Sequence, residues 1–334
     1  MRKYGEAMIR NLLLALIVAV SNPVPAAEPV RIIFDTDMDS DCDDLGALAV
    51  LHALADRGEA EILATPASSR CPSTPGCIAA INAFYGRPDL PLGRPRSGPQ
   101  KPTKYADALA KAYPAAPKLA DVPEAIDTYQ RVLKAAPDGS VTIVTVGYLT
   151  NISALLQAPG GKELITAKVK SWVCMGGNFV GRPAVDDMKL GNNNFSYDKE
   201  AALFAVKHWP QPLTFVGREI GSVPSGLSVG ANLKRLPENN PIRQGYALWF
   251  GGEPKNRHVA DQTTVLFAVR GSGDFWKVET GGRMELAADM TFRWVSDADS
   301  KQSYVLQRNP GKRADDRAVE KVIDDLMLAT PAAK

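Results

Sequence analysis

The chain has 334 residues, with 39 Lys and Arg against 37 Asp and Glu, for a formal net charge of +2. That balance, with no long basic run and no interleaved aromatics, excludes the footprint of a nucleic-acid binder. The length is enough to bury one large α/β core or two small ones.

The first 27 residues read as a secretory signal peptide. Arg2, Lys3 and Arg10 precede an apolar core at 12–20, and Val24-Pro25-Ala26-Ala27 offers small residues for cleavage after Ala26 or Ala27. Nine apolar residues are too few to span a bilayer, and no other stretch is long and apolar enough. The expectation is a chain exported to a bacterial periplasm or beyond the cell, free of the membrane after cleavage. Its folded domain would be 28–334.

The next stretch organises the rest. Ile32-Ile33-Phe34 predicts a strand, and residues 45–55 predict a helix. Between them lie six aspartates within ten residues: Asp35, Asp37, Asp39, Asp41, Asp43 and Asp44. Carboxylates so close repel one another unless something neutralises them. A solvated acidic loop fits badly between two apolar flanks. A strand delivering carboxylates into a loop before a helix N-terminus is how α/β proteins build sites at the carboxyl ends of strands. A hard divalent cation such as Ca²⁺, taking about six to eight oxygen ligands, is the natural neutraliser.

Further along, strands are predicted at 61–65, 141–146, 169–175 and 213–216, with a short extended piece at 90–92. Helices are predicted at 77–85, 123–136, 151–157 and 199–208. Residues 94–123 read as a loop holding one helix, and 314–328 as a late helix. Strands separated by helices argue for a single α/β domain: a mainly parallel central sheet flanked by helices, with a Rossmann-like core. In an exported chain, four cysteines allow disulfides. Cys71 and Cys77, around Pro72, Pro75 and Gly76, are the expected pair, with Cys42 and Cys174 free. Zinc is disfavoured, because no Cys-x-x-Cys pair exists and histidines number three.

Four later clusters accompany the aspartate loop. Val146-Gly147-Tyr148-Leu149-Thr150-Asn151 is a strand end and a turn; Thr150 or Asn151 alone reads as a helix N-cap, while the Val146 carbonyl would face an ion. Trp172-Val173-Cys174-Met175-Gly176-Gly177 is a buried strand ending in two glycines. Asn192-Asn193-Asn194 offers amides that suit sugar hydroxyls, with Asp198 as an N-cap. Asn256-Arg257-His258-Val259-Ala260-Asp261 opens a helix. Two motifs compete for the first loop. An EF-hand begun at Asp37 needs Gly and Glu where Cys42 and Leu48 stand. A haloacid-dehalogenase phosphatase shares Asp35-Thr36-Asp37, but has Thr or Val where Asp39 stands, and it gives Asp261 no role.

Taken together, in order over residues 31–268, these clusters resemble the inosine/uridine-preferring nucleoside hydrolase family. The spacer from Asp37 to Asp43-Asp44 is two residues longer than in the family's best-known form. The resemblance implies a Ca²⁺ bound by Asp37, Asp44, the Val146 carbonyl and Asp261. It makes Asp43 the general base acting on a Ca²⁺-bound water, and Asn194 a ribose contact. The implied activity is hydrolysis of the N-glycosidic bond of a nucleoside or related glycoside, and the implied assembly is a homodimer or homotetramer. Three family positions differ here: Asn192 stands for Glu, still able to hydrogen-bond a hydroxyl, Ala260 stands for His, and the family's early Asn has no clear match in the region 64–69. His258 is the nearest imidazole that would protonate a leaving group. A binding protein of the same fold without turnover is the alternative these departures raise.

Overall fold

Ile32, Ile33 and Phe34 are all fully buried, although successive side chains of a strand point to opposite faces. Both faces of their sheet must therefore be covered. Ile32 and Phe34 join one apolar cluster with Leu45, Leu48 and Val144; Ile33 joins another with Ile143, Trp172 and Leu213. The helices Asp43–Asp56, Pro241–Phe250, Ala260–Arg270 and Arg313–Met327 supply the first layer. Ala125–Ala135, Thr150–Gln157, Gly161–Lys168 and Lys199–His208 supply the second.

The computed structural model describes residues 28–331 apart from 40, 113–116, 180–187, 190–192 and 223–224. The expected leader at 1–27 and the sugar candidate Asn192 lie outside the described residues. The strands are β1 (Val30–Asp35), β2 (Ala60–Ala64), β3 (Val141–Thr145), β4 (Val169–Met175), β5 (Met188–Lys189), β6 (Leu213–Val216), β7 (Ser228–Val229), β8 (Arg257–His258), β9 (Trp276–Glu279), β10 (Gly282–Leu286), β11 (Thr291–Ser296) and β12 (Gln302–Gln307). Seven form the central sheet in the order β2-β1-β3-β4-β6-β12-β9. Every neighbouring pair is parallel except β12 with the edge strand β9. This is the mainly parallel α/β domain the pattern predicts, and no helix among the described residues is long and apolar enough to cross a membrane.

One expectation changes, and two loosely assigned stretches take definite form. Residues 90–92 form no strand; their backbone instead accepts from the chain beyond β2, with Thr65 N–H donating to the Pro91 carbonyl at 2.9 Å. All four cysteines are free and buried, so the expected Cys71–Cys77 bond is not formed. The helix Thr74–Phe84 starts between them and carries Cys77 into the first apolar cluster, while Cys71 Sγ stays 3.2 Å from Ser73 Oγ. The C-terminal part, unassigned by pattern, completes the central sheet with β12 and β9 and forms the hairpin β10–β11, which pairs with β5.

Trp294 and Tyr304 are core residues. Phe179 stacks on Tyr304 at 4.2 Å, and Trp294 meets both rings edge-on. Glu219 follows β6, and its carboxyl is buried without a hydrogen-bond partner among the described residues. Burial pushes it up from 4.5 to about 7, against a smaller lowering from nearby backbone amides. The folded protein thus holds this proton more tightly than the unfolded chain. Stability is expected to fall as pH rises from about 4.5 to about 7, by about 3 kcal/mol at about 1.36 kcal/mol per unit. Glu219→Gln should flatten that slope, so denaturant titrations at pH 5 and pH 8 should show the variant gaining on the wild type at pH 8. A gap that does not widen with pH assigns the slope to another group.

Candidate functional site

β1 pairs with β2 on one side and β3 on the other. Loops leaving the carboxyl ends of β1 and β3 therefore diverge, and a crevice opens between them, as at the switch points of other α/β sheets. A cleft of about 280 Å³ lies there. Asp37, Asp39, Asp41, Asp43, Asp44 and Asp261 line it, and so do Val146, Asn194, Arg257 and His258. Residues more than 200 positions apart in the chain thus share one surface.

The aspartates have different neighbours. Asp35 stays behind the cleft, fully buried, and its Oδ2 accepts from Tyr129 Oη at 2.8 Å and Asn151 Nδ2 at 2.9 Å. Burial pushes its carboxyl up to about 7, opposed by those hydrogen bonds. Asn151 also donates to the Ala67 carbonyl, and Thr150 to Asp198 at 2.5 Å. Neither residue caps its helix, which begins after Leu149; both tie the β3 turn to neighbouring loops. Asp198 does cap, accepting from Ala201 N–H at 3.3 Å.

Asp37, Asp44 and Asp261 are buried, and each carboxyl is pushed well above the carboxylate range. Burial is the main cause, followed by the charges of the other aspartates. Oxygens of Asp43, Asp44 and Asp261 lie within 4.8 Å of one another. Asp44 Oδ1 accepts from the Thr36 hydroxyl and, at 3.2 Å, from Met38 N–H. Met38 takes a left-handed backbone with φ 49°, and its N–H turns toward Asp44 of the following helix. Asp43 and Asp44 occupy the first turn of Asp43–Asp56, where the helix dipole favours negative charge.

The spacer carries two anchors. Asp39 Oδ2 accepts from the Tyr148 hydroxyl. Asp41 Oδ2 meets Arg257 Nη2 at 2.9 Å and His258 Nε2 at 3.0 Å. Burial alone would raise the Asp41 carboxyl, but the Asp43 hydrogen bond, His258 and Arg257 hold it below the usual range. Asp43 is pushed up to about 7 by burial and the Asp41 charge, with His258 opposing. His258 Nδ1 lies 3.1 Å from Asp43 Oδ2, within charge-pair distance but off the line of a hydrogen bond. Burial would lower its imidazole; Asp43 and Asp41 instead carry it up to about 10.

Val146 and Asn194 meet directly: Asn194 Nδ2 donates to the Val146 carbonyl at 2.8 Å and faces the Met175 carbonyl at 3.3 Å. Ala260, where the resembled family has His, is buried at the start of the helix Ala260–Arg270. Asp261 is in the first turn of that helix rather than its cap, with its N–H 3.4 Å from Asp43 Oδ2. Tyr129, Tyr148, Thr36 and Arg257 were not singled out by pattern. Thr36, Tyr148 and Arg257 lie within motif stretches, but nothing local marks a lone Thr, Tyr or Arg as a carboxylate partner.

Gly147 fixes the distance between β3 and the aspartate loop. A Cβ there would strike Ser68 Oγ and lie 2.5 Å from Asp37 N and 2.9 Å from Asp37 Cβ. Backbone cannot yield as a flexible side-chain tip can, so Gly147→Ala should displace Asp37. The expected outcome is a loss of about 1–3 kcal/mol of stability and weakened divalent-cation binding, read by calorimetry well below the melting temperature. Unchanged cation affinity would mean that Asp37 does not ligate.

The donor set suits a hard cation. Asp37, Asp43, Asp44 and Asp261 are buried, oxygen-only and mutually repelling, and the cleft's basic side chains Arg257 and His258 pair with Asp41 and Asp43. Such oxygen sites take Ca²⁺ or a similar metal.

A family model described as inosine-uridine preferring nucleoside hydrolase matches residues 32–300. No curated protein matches. Among solved structures, type III effector protein XopQ complexed with adenosine diphosphate ribose is similar with TM-score 0.63 and 14% identity, over 91% of this chain and 94% of that one. The plant nucleoside hydrolase PpNRh1 gives 0.62 and 19%, over 90% and 99%. The inosine-uridine preferring nucleoside hydrolase from Bacillus anthracis gives 0.57 and 18%, over 88% and 99%.

Proposed function

Because this chain belongs to the inosine-uridine preferring nucleoside hydrolase family, whose members hydrolyse N-glycosyl compounds, we propose that its cleft cleaves the N-glycosidic bond of a nucleoside or related N-glycoside with the help of bound Ca²⁺. The observation that carries this reading is the convergence of Asp37, Asp43, Asp44 and Asp261 on one buried cleft.

Asp37, Asp44, Asp261 and the Val146 carbonyl would hold the ion. Bound there, Ca²⁺ supplies a lowered pKa for a water and a grip on sugar hydroxyls. Asp43 takes the proton of the attacking water, and its carboxylate is oriented by the Asp261 amide and His258. As the bond to the base stretches, the sugar gains oxocarbenium character, and the surrounding carboxylates stabilise that positive charge. Asn194, anchored across the ends of β3 and β4, presents its amide oxygen toward the sugar. Both nitrogens of His258 face carboxylates. That favours a role for it in spacing Asp41 from Asp43 over protonating a leaving base.

A phosphatase would need Asp35 as its nucleophile, but Asp35 is fully buried and held by Tyr129 and Asn151. A binding protein without turnover is the reading that Ala260 supports, since no imidazole stands there. A panel of purine and pyrimidine nucleosides, assayed for base release with and without a chelator, separates the two. Chelator-sensitive release supports the hydrolase. Calorimetric nucleoside binding without release over hours supports the binding protein. Export through the 1–27 leader is part of the same proposal; a periplasmic product beginning at Ala27 or Glu28 would support it, and intact Met1 in that product would refute it.

A further inference from the structure

The carboxylate cleft continues sideways. Asp39 lines both it and a second hollow of about 360 Å³, walled by Lys101, Thr103, Lys104, Tyr105 and Trp249. Arg257 joins the two: it lines the cleft, and its guanidinium lies 4.7 Å from the centroid of the Trp249 ring. Asp41 holds one terminal nitrogen at 2.9 Å, so the planar group is fixed by a carboxylate on one edge and an indole on its face. Its Nε is buried and has no hydrogen-bond partner among the described residues. A buried donor left in this state is an uncompensated cost in the absence of a ligand.

The hollow is otherwise cationic. Lys104 is exposed at its rim. Lys101 is half-buried, with its ammonium over the ring of Tyr197; Tyr197 in turn meets Tyr148 edge-on, the residue whose hydroxyl donates to Asp39. Two lysines thus share the hollow with one carboxylate, Asp39, and Arg257, paired with Asp41, stands where the hollow meets the cleft, leaving a positive excess beside a floor of aspartates. An uncharged nucleoside has no group that uses it. A phosphoryl group does, because its oxygens accept several charge-assisted hydrogen bonds at once, and a fixed guanidinium matches that geometry.

We infer that the substrate is a phosphorylated N-glycoside. Its sugar lies over Asp43, Asp44 and Asp261, and its phosphoryl group lies in the hollow between Arg257, Lys101 and Lys104. This rests on the reading of the cleft as an N-glycosidase site and names the class of glycoside it takes.

The test compares binding to the full protein in Ca²⁺ buffer, by calorimetry, for uridine and inosine, their 5′-phosphates, and inorganic phosphate. Each 5′-phosphate is expected to bind at least tenfold more tightly than its nucleoside. The ratio should fall toward one in a Lys101→Ala/Lys104→Ala double variant and shrink with added salt. Nucleosides that bind as tightly as their phosphates overturn the inference. So does a phosphate preference that survives the double variant, or an inorganic-phosphate site that does not compete with the phosphate esters. Base release is scored separately. Release from nucleosides with no phosphate preference keeps the hydrolase and sinks this subsite, whereas a Lys101/Lys104-dependent preference without any release keeps the subsite and sinks the hydrolase.

Discussion

Asp43→Asn is expected to lower kcat for base release by about 10²–10⁴-fold, the usual contribution of a positioned general base, while nucleoside affinity changes little. Asp43 sits in the first turn of Asp43–Asp56, 3% exposed. Burial and the adjacent Asp41 charge push its carboxyl up to about 7 in the absence of an ion, which strengthens it as a proton acceptor. Asparagine keeps the shape and can still accept from the Asp261 amide at 3.4 Å, so the cleft should survive. The check is a steady-state comparison of kcat and KM, with nucleoside binding measured on the same protein. A variant that binds substrate normally and releases base at the wild-type rate would remove Asp43 from the mechanism. A variant that loses binding as well would make Asp43 a ligand to metal or sugar instead.

That the assignment can be made so narrowly reflects how much of the site was legible in the residues. An apolar run followed by six aspartates leaves few physical options, because such carboxylates must be solvated, paired or ligated. β1, β3, β4 and β6 were readable for a related reason: strands covered on both faces are largely apolar or β-branched, as 141–146 is throughout and 172–175 is in the main. Their shared direction then brought Asp35, Val146 and Met175 to one edge. The supports of the site were not legible. Tyr129, Tyr148 and Asn151 orient Asp35 and Asp39 from 94 or more residues away, and no local period marks a single side chain for such a task. The same holds for the pairing of Asp41 with Arg257 and His258 across more than 200 residues. β9 and β12 escaped notice because a strand at or near a sheet edge is selected by its neighbour. β12 exists because β6 offers it an unpaired edge, and its own residues, partly exposed, signal this weakly.

The second large effect concerns the ion, and it has two opposite signs. Without metal, the buried carboxylates of Asp37, Asp43, Asp44 and Asp261 destabilise the fold, because burial and mutual repulsion both disfavour their charged forms. Asp44→Asn removes one charge from that group and keeps an acceptor for Thr36 and Met38. In chelator, the variant should therefore melt at or above the wild-type temperature. In Ca²⁺ the order should reverse. An ion that binds only the folded state adds about 2.7 kcal/mol at a hundredfold excess over Kd, which is several degrees of melting temperature for a chain of this size. The variant, short of one anionic ligand, should gain much less. Thermal melts of both proteins in Ca²⁺, Mg²⁺ and chelator give the comparison. Wild type should respond more strongly to Ca²⁺ than to Mg²⁺, whose smaller octahedral shell fits a crowded carboxylate cluster poorly. A wild type indifferent to both ions would show that the cluster holds protons rather than metal. Equal gains in the two proteins would place the ion elsewhere than at Asp44. The crossing of the two orders is the informative outcome, because a purely structural role for Asp44 lowers stability in every buffer and cannot change sign with Ca²⁺.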